Sequence, residues 1–460
     1  MTVAIRAMDA ALPGENGIKG NLLTGQEVLD LLLGKKKYLL RIFTPKKLRI
    51  FQLFIRKLEK VVGIETRNIL NDPGVKFPNT YLAVEAGKKT LQKAGVDPSK
   101  VQGFVYASDT SDFVFPSPGI AVAKLLGIKP RQFVNCSMAC ISSADALMNA
   151  CTWLERGLVD NVLILAGDVT SSLRLPQNKI EPFIFGDGFV GIYLEKGKAQ
   201  NNGTPAEKGG FTFSNMSVDT AQADLFVHRH IYPSQLRLFG NGGLIDNFQD
   251  NDTGLDLLGD IDSRELPLLM QDFLRNSGSA VDKDTKIVLP QTGQKTLDKG
   301  VKYFFEGTGI DIKPNVIGNT SFKHHGNIGA GAVPLAWYEA SERGDITSSD
   351  SIIFCIAGVG GVETVFKYDP NADHSEYLPT LLNTERPGYI DMIRQRALDD
   401  QDPKNVRKIS TGRPLTQITS YGDNGSFGID FKPIHQNGSN GDRCFTPSGA
   451  IIDPTKDIKP

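Results

Sequence analysis

The stretch FVNCSMACISSADALMNACTWLERGLVDNVLILAGD, residues 133–168, decides the fold of this 460-residue chain. An apolar run at 132–137 predicts a buried strand, and a second run, NVLILAGD (161–168), predicts another. Between them, residues 139–157 carry small and apolar side chains at helical spacing. Strand, helix and strand in this order predict a unit of a largely parallel sheet that is covered on both faces.

Apolar runs and helical patterns also alternate on both sides of this unit. GFVYAS (103–108) and FVGIYLEKG (189–197) are predicted strands, with a helix at 117–128. After the polar break NNGTPAEKGG, a second series follows, with helices at 265–278 and 328–344 and strands at 286–291, 351–358 and 363–368. We therefore predict two α/β halves, 1–200 and 201–370, and then an irregular C-terminal extension, 371–460, rich in Asn, Asp, Gly and Pro.

The composition excludes several classes of protein. A formal net charge of -1 gives no overall attraction to nucleic acid or to a membrane. No segment reaches the eighteen or so apolar residues of a membrane span, and Arg6 and Asp9 interrupt the N-terminus where a signal peptide would be apolar. The five cysteines form neither a disulfide framework nor a CxxC zinc motif. We expect a cytoplasmic protein with no metal and no cofactor.

Cys140 is the predicted nucleophile. It lies where the strand 132–137 turns into the helix 139–157. A thiol at a helix N-terminus meets unpaired N–H groups and the positive end of the helix dipole, and both favour the reactive thiolate. On position alone, the alternative is a small buried hydrophobic residue, which is how Cys136, Cys151 and Cys355 are interpreted.

The stretch around Cys140 resembles the nucleophile region of β-ketoacyl-ACP synthase III, a condensing-enzyme family of the thiolase superfamily in which an Ala-Cys pair opens a buried helix. The resemblance covers roughly residues 1–370 and continues in VGIETRNIL (62–70), FGDG (185–188), HHGNIGAGAVPLAW (324–337) and AGVGGVETVF (357–366). It implies a thiolase fold, in which two pseudo-duplicated α/β halves pack as a five-layer αβαβα core. It also implies a homodimer, with a heterodimer as the alternative.

The resemblance assigns roles to particular residues. Cys140 falls on the acyl-accepting cysteine, and Asn327 falls on an oxyanion donor for the thioester carbonyl of the second substrate. The backbone N–H of Cys140 and an N–H of the loop containing Gly358, Gly360 and Gly361 would form the other oxyanion hole. Each such donor typically stabilises a transition state by about 3 kcal/mol.

One position departs from the family pattern. Relatives have a histidine directly after a strand and a proline, and Gln291 follows Pro290 here. A glutamine amide can donate a hydrogen bond, but it cannot become cationic or shuttle a proton, so malonyl decarboxylation is expected to be impaired or absent. His325, His228 and His230 are the candidates for a replacement base, and a structural role is favoured for His325.

Residues 35–60 contain ten Lys and Arg but one acidic residue, Glu59. This segment is predicted to dock an acidic acyl carrier protein. The proposed docking residues are Lys46, Lys47, Arg49, Arg56 and Lys57. A solvated helix face and a dimer edge are the alternatives. Membrane-surface association is a third, weaker one, and a membrane is not an expected partner.

The leading functional hypothesis is an acyltransferase that loads an acyl group from an acyl-carrier-protein or CoA thioester onto Cys140. It would pass this group to a second substrate in fatty-acid-like or polyketide-type (secondary metabolite) biosynthesis. An O- or N-acyltransferase of the same fold is the alternative. The alternative from another class is a non-catalytic partner subunit of a condensing-enzyme heterodimer. Nucleic acid is not an expected partner.

Overall fold

The computed structural model describes residues 2–35, 45–113, 115–173, 181–198, 206–214, 217–218, 266–358 and 362–378. All of them belong to one compact unit, Met1–Glu385. A second unit, Arg386–Pro460, lies outside the described residues. The boundaries predicted for the two halves and the extension stay predictions.

The strands alternate with helices along the chain. The strands are β1 (Val3–Ala11), β2 (Asn21–Thr24), β3 (Thr66–Ile69), β4 (Gly103–Ala107), β5 (Gln132–Cys136), β6 (Asn161–Val169), β7 (Asp187–Lys196), β8 (Gly210–Phe213), β9 (Ser217–Val218), β10 (Thr285–Val288), β11 (Ser351–Gly358), β12 (Val362–Asp369) and β13 (Glu376–Tyr377). The helices are α1 (Gly25–Lys35), α2 (Pro45–Val62), α3 (Pro78–Ala94), α4 (Pro118–Leu126), α5 (Ser142–Glu155), α6 (Glu181–Ile184), α7 (Leu266–Ser277), α8 (Gln294–Thr308), α9 (Thr320–His325) and α10 (Ala332–Arg343).

Two mixed sheets carry the fold. The first has the order β1-β7-β6-β4-β5, and the second has the order β10-β11-β12-β8-β13, with β9 beside β12. In the first sheet β4 is parallel to β5 and β6, whereas β7 is antiparallel to both β1 and β6. The prediction of largely parallel sheets was therefore wrong. In the second sheet only the three residues 359–361 separate β11 from β12, which leaves no room for a crossover helix, so these strands must be antiparallel.

Helices and sheets alternate in five layers. Helices α3 and α4 cover the outer face of the first sheet, where Phe104 and Tyr106 are buried. Helices α5 and α10 lie between the sheets and contact Val105 and Ala107 on one side and Phe354 on the other. Helices α7 and α8 cover the outer face of the second sheet. Because successive residues of a strand face opposite sides, each central strand is apolar along its whole length.

The central helix α5 suits its position between two sheets. Ala144, Ala146 and Ala150 are fully or almost fully buried, and Cys151 is fully buried beside them. Small side chains allow the two sheets to approach the helix closely, and they place the N-terminal end of α5 deep in the molecule. Cys136, Cys151 and Cys355 are all buried among apolar side chains.

Within the described ranges, no helix has both the length and the apolar character needed to cross a membrane. Over the same residues, no group of three or more His, Cys, Asp or Glu side chains is arranged to hold a metal ion.

Candidate active site

Cys140 lies in a tight turn that joins β5 to α5. Ala139 has a φ of 53°, a left-handed conformation that costs a non-glycine residue about 1–2 kcal/mol. Two hydrogen bonds close the turn: Met138 N donates to Ser142 Oγ at 2.7 Å, and Ser142 N donates to Ala139 O at 3.0 Å. The helix begins at Ser142, three residues later than predicted, so the half-buried Cys140 lies two residues before its first residue. The turn thus presents this thiol at the end of a buried helix.

Gly358, the last residue of β11, lies against this turn. A Cβ atom at Gly358 would be 3.1 Å from Met138 O and 3.5 Å from Ile141 Cβ, which is tight packing. The end of the second sheet therefore meets the nucleophile turn of the first half. Gly360 and Gly361, the other predicted members of this oxyanion loop, lie outside the described residues.

Asn327 lies in the loop between α9 and α10 and is buried. Its backbone N donates to Ile184 O at 3.0 Å, and its carbonyl oxygen accepts from Gly186 N at 2.9 Å. Its side-chain Oδ1 accepts from Gly329 N at 2.8 Å. Because Oδ1 is used in this way, the amide NH2 is directed away from Gly329 and is the end that can donate to a substrate oxygen.

The buried carboxylate of Asp168, at the end of β6, connects the surrounding loops. Its Oδ1 accepts from Ser108 Oγ at 2.9 Å, from Asp109 N at 2.8 Å, and from Thr110 N and Oγ1 at 3.0 and 2.9 Å. Its Oδ2 accepts from Ala330 N at 2.8 Å. Burial raises the pKa of Asp168 to about 7 and the nearby Asp109 adds to this, while the N–H donors oppose it.

Gly329 is required at this junction. A Cβ atom at Gly329 would lie 2.0 Å from Asp168 Oδ2, and its φ is 63°. The glycine therefore allows Asp168 to approach the loop that carries Asn327, and this contact fixes the position of that loop.

Sequence reasoning missed Asp109, whose carboxylate lies beside the nucleophile turn. Its Oδ1 accepts from Ser137 Oγ at 2.7 Å, and the backbone N–H of Ala139 also donates to this carboxylate. Partial burial raises the pKa of Asp109, whereas these two donors lower it. A signal was present: Asp109 follows the strand GFVYAS, and the ends of parallel strands β4 and β5 meet at one sheet edge.

Gln291, at the position of the family histidine, follows β10 and is 2% exposed. Its Nε2 donates to Leu289 O at 2.9 Å, and its Oε1 has no hydrogen-bond partner among the described residues. Two residues later, Gly293 packs against the end of α2, because a Cβ atom there would lie 3.1 Å from Val62 O. The loop that carries Gln291 therefore contacts the basic helix.

His325 is buried beneath the Asn327 loop, with both ring nitrogens engaged. Nε2 is 2.6 Å from Glu339 Oε1, and Nδ1 is 2.8 Å from Asn68 Oδ1 and 3.3 Å from Glu15 Oε1. Burial alone would lower the pKa of His325, but the hydrogen bonds to Glu15 and Glu339 outweigh it and raise the pKa to about 9. An imidazolium held by two carboxylates supports the structural role rather than that of a base. His228 and His230 lie outside the described residues.

Helix α2 carries the described part of the basic segment. Lys46, Arg49, Arg56 and Lys57 are exposed on it, and the side chain of Lys47 lies outside the described set. The exposed side chains on the same helix include the apolar residues Ile50, Leu53, Phe54 and Val61.

The one acidic residue of α2 is turned away from this surface. Glu59 Oε1 bonds Arg67 Nη1 at 2.9 Å and accepts from Gly25 N at 2.8 Å, and Arg67 is fully buried. The exposed surface of α2 therefore carries basic and apolar side chains with no acidic one.

The nucleophile region is similar to that of a known protein family. The family model for 3-oxoacyl-[acyl-carrier-protein (ACP)] synthase III matches residues 134–207, which include the turn at Cys140. Over a longer stretch, the chain is 24% identical to a β-ketoacyl-[acyl-carrier-protein] synthase III of Chlorobium luteolum. That match extends over 313 residues, 65% of this chain and 85% of the relative.

Solved structures show the same fold. The 3-oxoacyl-(acyl carrier protein) synthase III FabH of Pseudomonas aeruginosa matches with a TM-score of 0.61 and 18% identity, over 83% of this chain and all of that one. OleA of Xanthomonas campestris matches with a TM-score of 0.56 and 20% identity, over 80% of this chain and 99% of that one. The predicted thiolase fold is confirmed.

Proposed function

Because this chain is a β-ketoacyl-ACP synthase III-like condensing enzyme of the thiolase superfamily, we propose that it loads an acyl group from a thioester onto Cys140 and passes it to a second substrate. The observation that carries this proposal is the turn at Ala139, which holds Cys140 at the end of α5 in a conformation unfavourable for alanine. Backbone strain of this kind is concentrated at functional sites, where the surrounding structure maintains it.

Loading begins when the Cys140 thiolate attacks the thioester carbonyl. The developing oxyanion would accept hydrogen bonds from the Cys140 N–H and from the loop after Gly358, which packs against the turn. The C–S bond of the donor then breaks, and the leaving CoA or carrier thiolate takes a proton. In the transfer step, the Asn327 NH2 would donate to the thioester carbonyl of the second substrate, since Gly329 already occupies Asn327 Oδ1.

Gln291 distinguishes this site from that of a malonyl-decarboxylating enzyme. Its buried amide already donates to Leu289 O and has no group that can become cationic. We therefore favour formation of a carbon–carbon bond in fatty-acid-like or polyketide-type biosynthesis without dependence on malonyl decarboxylation. Transfer to an oxygen or nitrogen nucleophile, by an enzyme of the same fold, is the second candidate that Gln291 supports.

The exposed surface of α2 is the proposed docking site for an acidic acyl carrier protein. Its cations, including Arg49 and Arg56, would attract acidic residues, and its exposed apolar side chains would add buried area. The end of this helix contacts the loop that carries Gln291, so a docked carrier would lie near the site.

A homodimer is the proposed assembly, formed at the edge of the first sheet. Strand β5 is the last strand of that sheet, and its residues Gln132–Asn135 are half-buried. Large apolar side chains are exposed in the preceding segment and on α4, with Phe115 88%, Ile120 51% and Leu125 61% exposed. Among the described residues, no further strand pairs with the outer edge of β5. Such an edge beside exposed apolar groups is suited to pairing with a second copy, and light scattering would measure the mass. A cytoplasmic location stays a prediction.

Intact-protein mass spectrometry after incubation with acyl-CoA and acyl-carrier-protein thioesters tests the loading step. A mass gain by the wild type and by Cys444→Ala, absent from Cys140→Ala, is expected, and the donor with the largest gain identifies the acyl chain and its carrier. If the folded wild type gains no mass from any donor, the enzyme hypothesis fails and the non-catalytic partner subunit becomes the better account. Products formed with thioester, hydroxyl and amine acceptors then distinguish condensation from O- or N-acyl transfer.

A further inference from the structure

A condensing enzyme without the family histidine needs another group to take a proton. The amide of Gln291 has no basic atom, and it donates to Leu289 O. Both nitrogens of His325 are held by Glu15, Glu339 and Asn68, which keeps the imidazole protonated. Neither residue can accept a proton from an acceptor substrate, so a carbon acid would remain unactivated by them.

Asp109 places a carboxylate against the turn that holds the nucleophile. Its two donors, Ser137 Oγ and the Ala139 N–H, both belong to that turn. Because Ala139 directly precedes Cys140, the carboxylate is hydrogen-bonded to the residue next to the nucleophile. A carboxylate has roughly four acceptor positions, so two donors leave room for a further proton. Asp109 is only partly covered and keeps solvent-accessible surface, so a substrate can reach it.

The buried side chain of Asp168 fixes the position of Asp109. Its backbone N donates to Asp168 Oδ1 at 2.8 Å, and Asp168 Oδ2 also accepts from Ala330 N, three residues after Asn327. The proposed base and the proposed oxyanion donor are therefore held by one buried side chain. Preorganisation of this kind is what proton transfer at a carbon atom requires.

The surroundings of Asp109 also raise its pKa, which makes its carboxylate a stronger base. Partial burial raises its pKa, and the titratable groups that face it are the buried Asp168 and the Cys136 thiol. A carboxyl group with a raised pKa holds an abstracted proton better than an ordinary one does.

We propose that Asp109 is the general base of the transfer half-reaction and that the acceptor is an acyl thioester with a hydrogen on its α-carbon. The Asp109 carboxylate removes that proton, and the carbanion attacks the carbonyl carbon of the acyl group on Cys140. A carbon–carbon bond forms, the C–S bond to Cys140 breaks, and the thiolate takes the proton from Asp109. The products are a β-ketoacyl thioester and free Cys140, with no carbon dioxide released and no oxidant consumed. This inference rests on the proposed loading of Cys140.

The test separates proton abstraction from loading. Wild type, Asp109→Asn, Asp109→Glu and Cys140→Ser are incubated in D2O with butanoyl-, octanoyl- and palmitoyl-CoA, and α-deuterium is measured by mass spectrometry. Loading of Cys140 is measured in parallel on the same preparations. Asp112→Asn is the matched control, because Asp112 also follows β4 but accepts the N–H groups of Asn79 and Thr80 at the start of α3.

We expect Asp109→Asn to lose exchange and condensation by roughly 10²-fold or more, and to lose loading by a much smaller factor. Asp109→Glu is expected to retain part of the exchange, and Cys140→Ser all of it, because exchange does not require the acyl-enzyme. Wild-type exchange should fall as pH falls through the raised pKa of Asp109.

Three results would overturn the inference: exchange by Asp109→Asn at the wild-type rate, equal loss of loading and exchange in that variant, or no exchange by a wild type that loads normally. The second result would make Asp109 a structural brace of the turn. A wild type that loads from no donor would instead overturn the proposed function, and that outcome is recognised by its missing mass gain.

Discussion

The backbone N–H of Ala330 donates to Asp168 Oδ2 at 2.8 Å, across 162 positions of sequence. The other oxygen of Asp168 accepts from the loop at 108–110, which follows β4. This buried side chain therefore joins the loop of the proposed base to the loop of Asn327. A change at Asp168 should alter both loops together.

Asp168→Asn is expected to destabilise the protein and to slow loading and condensation together. The amide NH2 cannot accept, so at least one buried donor loses its partner, at a cost of about 1–3 kcal/mol each. The free energy of unfolding in urea and the loading rate are the measurements. Asp160→Asn is the control, because Asp160 is exposed. Unchanged stability in Asp168→Asn would show that these five hydrogen bonds contribute little.

His325 should make stability depend on pH. Its pKa is about 9 in the folded chain, against 6.5 as the ordinary value, so the folded state binds the proton more tightly. The resulting stabilisation, at most about 3 kcal/mol, is fully present below pH 6.5 and is lost as pH rises through 9. The difference in unfolding free energy between wild type and His325→Gln should therefore shrink from pH 6 to pH 9.5. His374→Gln, at an exposed histidine, is the control. A difference that is constant with pH would contradict the ion pairs.

Gln291→His should increase malonyl decarboxylation. An imidazole at this position can donate a hydrogen bond to the enolate and can carry positive charge, which an amide cannot do. We expect at least a tenfold rise in carbon dioxide release from malonyl thioester by the loaded enzyme. Gln294→His is the control, because Gln294 lies at the start of α8 and bonds Asp298. Equal rates in wild type and Gln291→His would show that Gln291 is not what limits decarboxylation.

The double variant Arg49→Glu/Arg56→Glu should lose the carrier protein but not free CoA. Reversing two exposed charges on α2 removes attraction to an acidic partner and adds repulsion. We expect loading from an acyl-carrier-protein thioester to fall by roughly tenfold at low salt and by less at high salt, with loading from acyl-CoA unchanged. Lys100→Glu is the control. Lys100 precedes the N-terminal end of β4, whereas the nucleophile follows the C-terminal end of the parallel strand β5. An equal fall in that control would argue for a general charge effect.

Several features followed from local patterns. The strand predicted at 351–358 is observed with these bounds, and the strand–helix–strand unit around Cys140 is present with ends shifted by at most three residues. These elements are predictable because the period of the apolar side chains records which face of each element is buried. The replacement of the family histidine by Gln291 is likewise visible in a single position of the sequence.

Other features depended on contacts between distant segments. Asp109 was missed because its importance comes from Ser137 and Ala139, and nothing near Asp109 in sequence indicates that they lie beside it. In the same way, Glu59 contributes to the charge of the basic segment in sequence, but pairs inward with Arg67 in the fold.

The sequence by itself therefore determined the secondary structure around Cys140, the family resemblance and the missing histidine, since each depends on residue identity and local period. Only the tertiary structure decided that Asp168 holds the loops at 109 and 330 together, and that His325 is a buried cation between two carboxylates. The physical reason is that a buried polar side chain must find its partners in three dimensions, wherever the packing of the sheets brings donors and acceptors together.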